Sequence, residues 1–534
     1  MSCGDIPDGL ATEEQGEALM PRRVKVQRFD KSKCQKCRTA KSMYIIRNVT
    51  YCKECFSHSL FTRLTRTLHP AMRSTNLTSS ELKNKSLASI GGNRPLPQGG
   101  SVLIGLSGGS SSIALLDILV EREYIGKGDG RVIDRTKGEK QPVWDRGIIL
   151  HVDFSDVIEN PISKEEDRSE ELKKWVEGKG NGLVWVGLKA EDVYDGGLRK
   201  KIRGIVGLPK EAEGEERVDG DGVAVDLKNP DLPLFPSSSS SSSTPIDQLR
   251  SILSALPAAS RPSFLSSILD SLITTTSQII PDTKHILLAE TSTRQAQRLI
   301  AGTALGKGYT LPLDLSVINK SSLSITDGSK RDIVRLKPMK DISFKEVAIY
   351  THLRGLNGLV RNARNWDNAG PQGRKGDSRG KGNTRSLESL TEQFIASLAV
   401  THPATVSTIN RTGDKLRFTG VKEDEVTCPV CQLPVDPNAL EWKSRTALTS
   451  LPTKTLPQDI GAVTNGVEQG KDKESLAKML CYACLTTFTP PTVVSKVART
   501  EVVPIQLPLW VGGNVRDRRR EMREEIKGFL IDEE

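Results

Sequence analysis

Short apolar runs and amphipathic stretches alternate through the middle of this chain. SVLIGLS, residues 101–107, is an apolar run closed by glycine and serine, and the stretch after it, IALLDILVERE, has its apolar positions spaced for a helix. Further β-rich runs, GIILHVDF, GLVWVGL, HILLAE and RDIVRLKP, are separated by the helical patterns SEELKKWVE, TRQAQRLIAGTAL and SFKEVAIYTHL. This rhythm predicts an α/β fold: a doubly wound parallel sheet with helices on both faces, and ligands beyond the carboxyl ends of the strands. Two more helical patterns, IDQLRSILSAL and SFLSSILDSLITTTSQII, are expected to cover one sheet face.

The pattern also divides the 534 residues. The expected order is a flexible N-terminus (1–20), a basic four-cysteine module (21–75), a linker (76–100) and the α/β core (101–400). A second linker (401–427), a C-terminal four-cysteine module (428–490) with an insertion at 436–475, and a tail (491–534) complete it. Charged residues reach 27% while aromatics are only 4%, so part of the length must be solvated insertion that buries nothing. Insertions are expected near 124–142, 210–245 and 361–385; the second is acid-rich and runs into PSSSSSSSTP. The third, basic and glycine-rich, reads as an RNA contact or a plain linker.

No run approaches the roughly 18 apolar residues that cross a bilayer, and the first twenty residues lack the apolar stretch of a signal peptide, so no membrane is expected. Eight of the nine cysteines fall in four CxxC pairs, a pattern that in a reducing compartment reads as metal ligation; a cytoplasmic or nuclear setting follows. The net charge of +10 is local: between Met20 and Arg73 stand 14 Lys or Arg against Asp30 and Glu54. A dense positive segment around metal ligands suits nucleic acid, whose phosphates release counterions when neutralised; a solvated basic face or a nuclear targeting patch is the alternative.

Cys34 and Cys37 with Cys52 and Cys55 form CxxC-x14-CxxC, tight enough for two turns to present four thiolates to one tetrahedral zinc. Cys428 and Cys431 pair with Cys481 and Cys484 across 49 residues, with prolines near both turns. Four thiolates leave no open position, so both sites read as structural; chance pairs or another metal are the alternatives. No cysteine lies between Cys55 and Cys428, so the core has no thiol for a persulfide relay or an iron–sulfur cluster.

After the strand at 101–107, Ser107, Gly108, Gly109 and Ser112 resemble the pyrophosphate loop of the ATP pyrophosphatases, SGG, any residue, Asp, Ser, with Ser111 at the aspartate position. Glycines let a backbone approach phosphate, and serine hydroxyls and helix N–H groups hold it; a plain turn and helix cap is the bland alternative. With CQKC, YCKECF, HVDFSD, RLKPMKDISFKEV, CPVC and CYAC, the chain resembles the two-zinc-finger family of tRNA 2-thiolation proteins, within the PP-loop superfamily. The resemblance spans Cys34 to Cys484 and implies a degenerate PP-loop core with N- and C-terminal zinc-ribbon modules.

Departures from the catalytic members point to a non-catalytic subunit. Thr293 and Arg294 stand in AETSTR where the resemblance implies acids, and with Ser111 they remove carboxylates that would place magnesium and pyrophosphate. ATP binding by this chain is therefore in doubt. Asp153 is expected to end a strand or cap the next element, and His151 to pack in a strand. The implied working unit is a cytoplasmic heterodimer. Its catalytic subunit adenylates the wobble uridine of tRNA Lys, Glu and Gln and accepts sulfur from a thiocarboxylated ubiquitin-related modifier. The same likeness suggests a link to protein urmylation. Arg38, Lys41, Arg47, Lys53, Arg63 and Arg66 are the candidates for gripping tRNA backbone. An independently active thiouridylase and a zinc-ribbon scaffold that never meets ATP are the competing readings.

Overall fold

The computed structural model describes residues 32–73, 96, 99–126, 142–158, 169–180, 182–209, 222–236, 243–324, 330–361, 366–368, 385–418, 426–436, 438–446, 475–489 and 504–527. The expected flexible N-terminus, most of the 76–100 linker, most of the serine tract, and the bulk of the 124–142, 361–385 and 436–475 insertions lie outside these residues. The chain divides into two compact units, Met1–Ser59 and Leu60–Glu534, so the expected 21–75 module ends earlier than its charge pattern suggested.

In the first unit, β1 (Tyr44–Ile46) and β2 (Val49–Tyr51) form an antiparallel hairpin with Tyr44 opposite Tyr51. Its two-residue turn holds Arg47 and Asn48 at φ 50° and 67°, the pair of positive values that a type I′ connection needs. Tyr44 packs on Phe56 with ring centroids 5.7 Å apart, and Cys34, Ile46, Cys52 and Phe56 are buried. So few buried side chains make a meagre core, which is where a bound metal contributes most.

In chain order the strands of the second unit are β3 (Ser101–Gly105), β4 (Arg146–Asp153), β5 (Leu183–Lys189), β6 (Val223–Val225), β7 (Leu234–Pro236), β8 (Thr283–Leu287), β9 (Ile318–Ser324), β10 (Lys330–Leu336) and β11 (Ile505–Gln506). Six of them make the main sheet in the order β5-β4-β3-β8-β10-β9. All neighbours are parallel except β9, an antiparallel edge strand on β10. Leu103, Ile148, Leu150, Val186 and Ile286 join one core with Phe264, Leu265, Ile268 and Leu272 of the helix Arg261–Ile279. Val102, Ile104, Ile149 and Leu287, which alternate with them, are buried too, so both faces are covered, as a parallel sheet requires. Strand order reverses at β3, and the glycine-serine loop leaves its carboxyl end at that switch point.

Several expected linkers are ordered structure. Val223 to Pro236, inside the expected 210–245 insertion, supplies β6 and β7, and β6 pairs with both β7 and β11, from the expected tail, in a small antiparallel sheet. Leu509–Lys527 of that tail is a helix, and Val511 and Val515 on it are fully buried. Pro403–Gly413, assigned to a linker, is a helix that buries Val406 beside Ala296 and Ile395. The C-terminal cysteine module packs into the second unit. Cys428, Cys481, Cys484, Leu485 and Phe488 are part of the main core, with Phe488 edge-on to Phe264 at 5.8 Å.

Candidate functional site

The two four-cysteine clusters are built alike. In each, the first CxxC closes a tight turn: Arg38 donates its N–H to the Cys34 carbonyl at 2.8 Å, and Gln432 donates to Cys428 at 2.8 Å. Arg38 and Gln432, each just after its second cysteine, are left-handed at φ 61° and 59°. The second pair sits at a helix start. Cys52 precedes the helix Lys53–Arg73, and Cys481 caps the helix Tyr482–Phe488, where the positive end of the helix dipole favours thiolates.

In both clusters the four sulfurs lie within 4.8 Å of one another; Cys37 and Cys52 are 4.0 Å apart, and Cys431 and Cys481 are 3.7 Å apart. Sulfurs around a tetrahedral zinc with bonds of about 2.3 Å are separated by about 3.8 Å, so the donor sets fit a metal ion. Their electrostatics agree. Burial, then hydrogen bonding with Cys52, pushes the Cys55 thiol up to about 12, while the Thr39 side chain and then the Ala40 backbone lower Cys37 to about 6. Cys431 and Cys484 are raised well above the usual thiol range by neighbouring sulfurs, Cys428 first. Four thiols this close cannot all ionise on their own, and a dication removes the conflict.

The glycine-serine loop is pinned at the switch point. Leu106 donates its N–H to Leu150 at 2.8 Å, and Nδ1 of His151 donates to the Leu106 carbonyl at 2.7 Å. Ser107 and Ser112 face each other, Oγ to Oγ 3.2 Å. Ser107 Oγ accepts from the Gly109 N–H at 3.3 Å, and Ser112 donates to the Gly109 carbonyl at 3.0 Å. Gly108 has φ +80°, and a Cβ there would meet the Arg361 side chain at 3.0 Å and Leu172 at 3.2 Å. The loop thus brings together all four residues expected to hold phosphate, at the start of the helix Ser110–Glu121, whose first turn carries no acid.

Elsewhere around the carboxyl ends the acidic chemistry is spent. Asp153 is the last residue of β4, and both its oxygens accept from Ser155, N–H and hydroxyl, in the turn that follows. His151 stacks on Trp185 at 5.4 Å. Thr293 accepts from the Phe344 N–H at 3.3 Å, and Arg294 bonds Gln297 at 3.2 Å. Four residues not singled out from the sequence form an ion cluster. Glu290 lies 3.0 Å from Arg298 and 3.0 Å from Lys337, and Asp314 lies 2.6 Å from Arg298 and 3.5 Å from Lys337. Glu290, closing the run HILLAE, and Lys337, next to the end of RDIVRLKP, had a sequence signal: a charge just past an apolar strand. Burial opposes the charge on Asp314, but Arg298 and then Lys337 hold it far below the usual carboxylate range.

Of the basic candidates, Arg38, Lys41, Arg47 and Lys53 are exposed in the first unit, and Arg66 is exposed in the second. Arg63 is mostly buried and ion-paired with the fully buried Glu346, which also accepts from the Ser343 N–H at 2.7 Å.

Fold and sites define an α/β protein on a parallel-dominated sheet, with a phosphate-loop-like turn at its switch point and two four-cysteine clusters. A family model described as cytoplasmic tRNA 2-thiolation protein 2 matches residues 386–486. Cytoplasmic tRNA 2-thiolation protein 2 of Drosophila yakuba is 30% identical over 209 residues, 38% of this chain and 45% of that protein. Protein 2-A of Xenopus laevis is 28% identical over 279 residues, 47% of this chain and 48% of that protein. The chain is similar to these proteins over the matched segments, and it spans about half the length of the relatives it matches. Among solved structures, the U34-tRNA thiolase NcsA from Methanococcus maripaludis with its 4Fe-4S cluster is similar in outline. Its TM-score is 0.40 at 16% identity, covering 75% of this chain and 95% of that one.

Proposed function

We propose that this chain is the non-catalytic subunit of a cytoplasmic tRNA 2-thiolation complex. It pairs with a catalytic thiolase that adenylates the wobble uridine of tRNA Lys, Glu and Gln and takes sulfur from a thiocarboxylated ubiquitin-related modifier. Similarity to cytoplasmic tRNA 2-thiolation proteins over residues 386–486 and over about half the length of two relatives supports the pathway. One observation carries the division of labour: the loop at the switch point keeps its phosphate-shaped backbone, while its carboxylates are absent or spent. Ser111, Thr293 and Arg294 replace expected acids, and Glu290 is held between Arg298 and Lys337. Magnesium bound to pyrophosphate needs such oxygens, so this chain positions and stabilises rather than activates.

Each cysteine cluster holds one structural zinc: Cys34, Cys37, Cys52 and Cys55 in the first, Cys428, Cys431, Cys481 and Cys484 in the second. A zinc there supplies a cross-link between distant turns and no reaction. Arg38, Lys41, Arg47, Lys53 and Arg66 hold phosphate backbone, and Arg63 serves the fold through Glu346. No described helix is long and apolar enough to cross a membrane.

The test is reconstitution with purified proteins. Thiouridine formation and pyrophosphate release are expected only when the catalytic subunit is added; either activity from this chain alone overturns the proposal. Affinity capture that never yields a partner with an intact SGGxDS loop favours the scaffold reading instead.

A further inference from the structure

A cavity of about 280 Å³ opens in the first unit, lined by Gln35, Lys36, Arg38, Val49 and Tyr51. Its walls follow from the local fold. The two-residue period of a strand puts Val49 and Tyr51 on one face of β2 and Thr50 on the other, where its buried hydroxyl donates to the Lys33 carbonyl at 3.0 Å. Gln35 donates its N–H to the Thr50 carbonyl at 3.0 Å, fastening the cysteine turn beside β2. Arg38 leaves that turn from a fixed left-handed residue. An aromatic ring, a carboxamide, two cations and a valine therefore meet on one small, cross-braced frame.

We propose that this cavity takes one unpaired nucleotide of an RNA strand. The base lies against the Tyr51 ring and Val49, Gln35 bonds its edge, and Lys36 and Arg38 meet the flanking phosphates. Charge selects an anion: the described part of this unit holds Lys33, Lys36, Arg38, Lys41, Arg47 and Lys53 against the single acid Glu54. The ring and the carboxamide narrow the class further. Cations alone would suit any polyanion, whereas an aromatic face with an adjacent amide suits a base that is free to stack and to be read at its edge. A paired base offers neither, because its faces are covered by neighbours. The size agrees, falling just below cavities that hold drug-sized ligands. This inference rests on the reading that the chain binds tRNA, and it adds a base contact to the backbone contacts assigned above.

The experiment uses the full chain, intact tRNA, and two RNA probes of equal length carrying 2-aminopurine, one single-stranded and one duplex. The wild-type chain is expected to prefer the single strand and quench its fluorescence. Tyr51→Ala is expected to lose about tenfold in single-strand affinity, in the range that stacking one base is worth, together with the quench. Tyr51→Leu, which keeps apolar bulk on the hairpin, should lose the quench too, and Tyr51→Phe should retain both. Lys36→Ala and Arg38→Ala should each lower the slope of log affinity against log salt by about 0.7. Unchanged single-strand affinity and quench in Tyr51→Leu, with tRNA still bound, overturns the cavity and leaves the tRNA reading standing. No tRNA binding by the wild-type chain overturns both. A Tyr51→Leu chain that binds RNA normally but loses the catalytic subunit assigns the cavity to a protein and overturns the proposal.

Discussion

Nζ of Lys337 stands 3.0 Å from a carboxylate oxygen of Glu290, bridging the carboxyl ends of the neighbouring parallel strands β8 and β10. Both side chains are nearly inaccessible, at 7% and 11% exposure. Removing Lys337 leaves Glu290 and Asp314 sharing one cation, Arg298, at a cost approaching the roughly 3–5 kcal/mol of a broken buried pair, whereas replacing both Glu290 and Lys337 is far milder. Lys337→Met should therefore lower the urea midpoint sharply, and Glu290→Gln combined with Lys337→Met should recover much of the loss. A single variant within about 0.5 kcal/mol of wild type would show that Glu290 is not held by this contact.

The elements legible in the sequence are those with long local patterns. SEELKKWVE is the helix Ser169–Glu177 residue for residue, and the five apolar runs are β3, β4, β5, β8 and β10. What escaped depends on distant pairing. Val223–Val225 and Ile505–Gln506 are too short to show a period, and Val225 finds Ile505 only once the chain has folded. Likewise β9, INKSSLS, is too polar to read as a strand and exists because β10 offers it an edge. CxxC spacing is a local signal and identified both clusters; burial of the C-terminal one against Phe264 is a tertiary fact. Arg63 counted as an RNA contact on charge alone, since its partner Glu346 is 283 residues away.

Asp117 gives the fold a pH dependence of known sign. Its carboxylate is 1% exposed and accepts from Lys179 at 2.7 Å, Arg354 at 2.9 Å and the Tyr350 hydroxyl at 2.9 Å. Burial works against its charge, but the Lys179, Arg354 and Tyr350 bonds outweigh burial and lower its pKa. A depressed folded-state pKa contributes stability that is fully present above the unfolded value, about 3.9, and is lost as pH falls through the folded one. Asp117→Asn should be less stable than wild type at neutral pH, and the gap should close below pH of about 4. Denaturant midpoints across that range check it, and a constant gap would contradict the assignment.

The two cysteine clusters should fail differently. Cys34 belongs to the small first unit, and Cys481 to the core that includes β3 and β4. Cys34→Ser is expected to remove one metal equivalent and expose the first unit to protease while the main thermal transition stays. Cys481→Ser should also remove one equivalent but lower that main transition and the soluble yield. Elemental analysis with limited proteolysis reads both, and equal effects on the main transition would refute the asymmetry.

Gly306 ties the C-terminal cluster to the sheet domain by a contact that no larger residue can keep. It ends the helix Ser292–Ala304 at φ +75°, in a pattern where Lys307 donates to Gly302 at 2.8 Å and Gly306 to Thr303 at 3.2 Å. The Tyr482 ring, two residues before Cys484, would lie 2.3 Å from a Cβ at Gly306. Gly306→Ala thus combines a strained φ, costing about 1 kcal/mol, with overpacking worth about 1–3 kcal/mol. The ring must move, and Cys481 and Cys484 move with the short helix that carries it. Metal at this cluster should consequently be removed faster by a chelator, with the first cluster unaffected, whereas Gly308→Ala, with open space around its Cβ, should behave as wild type. Equal release rates for Gly306→Ala and Gly308→Ala would show that the Tyr482 contact does not hold the second cluster in place.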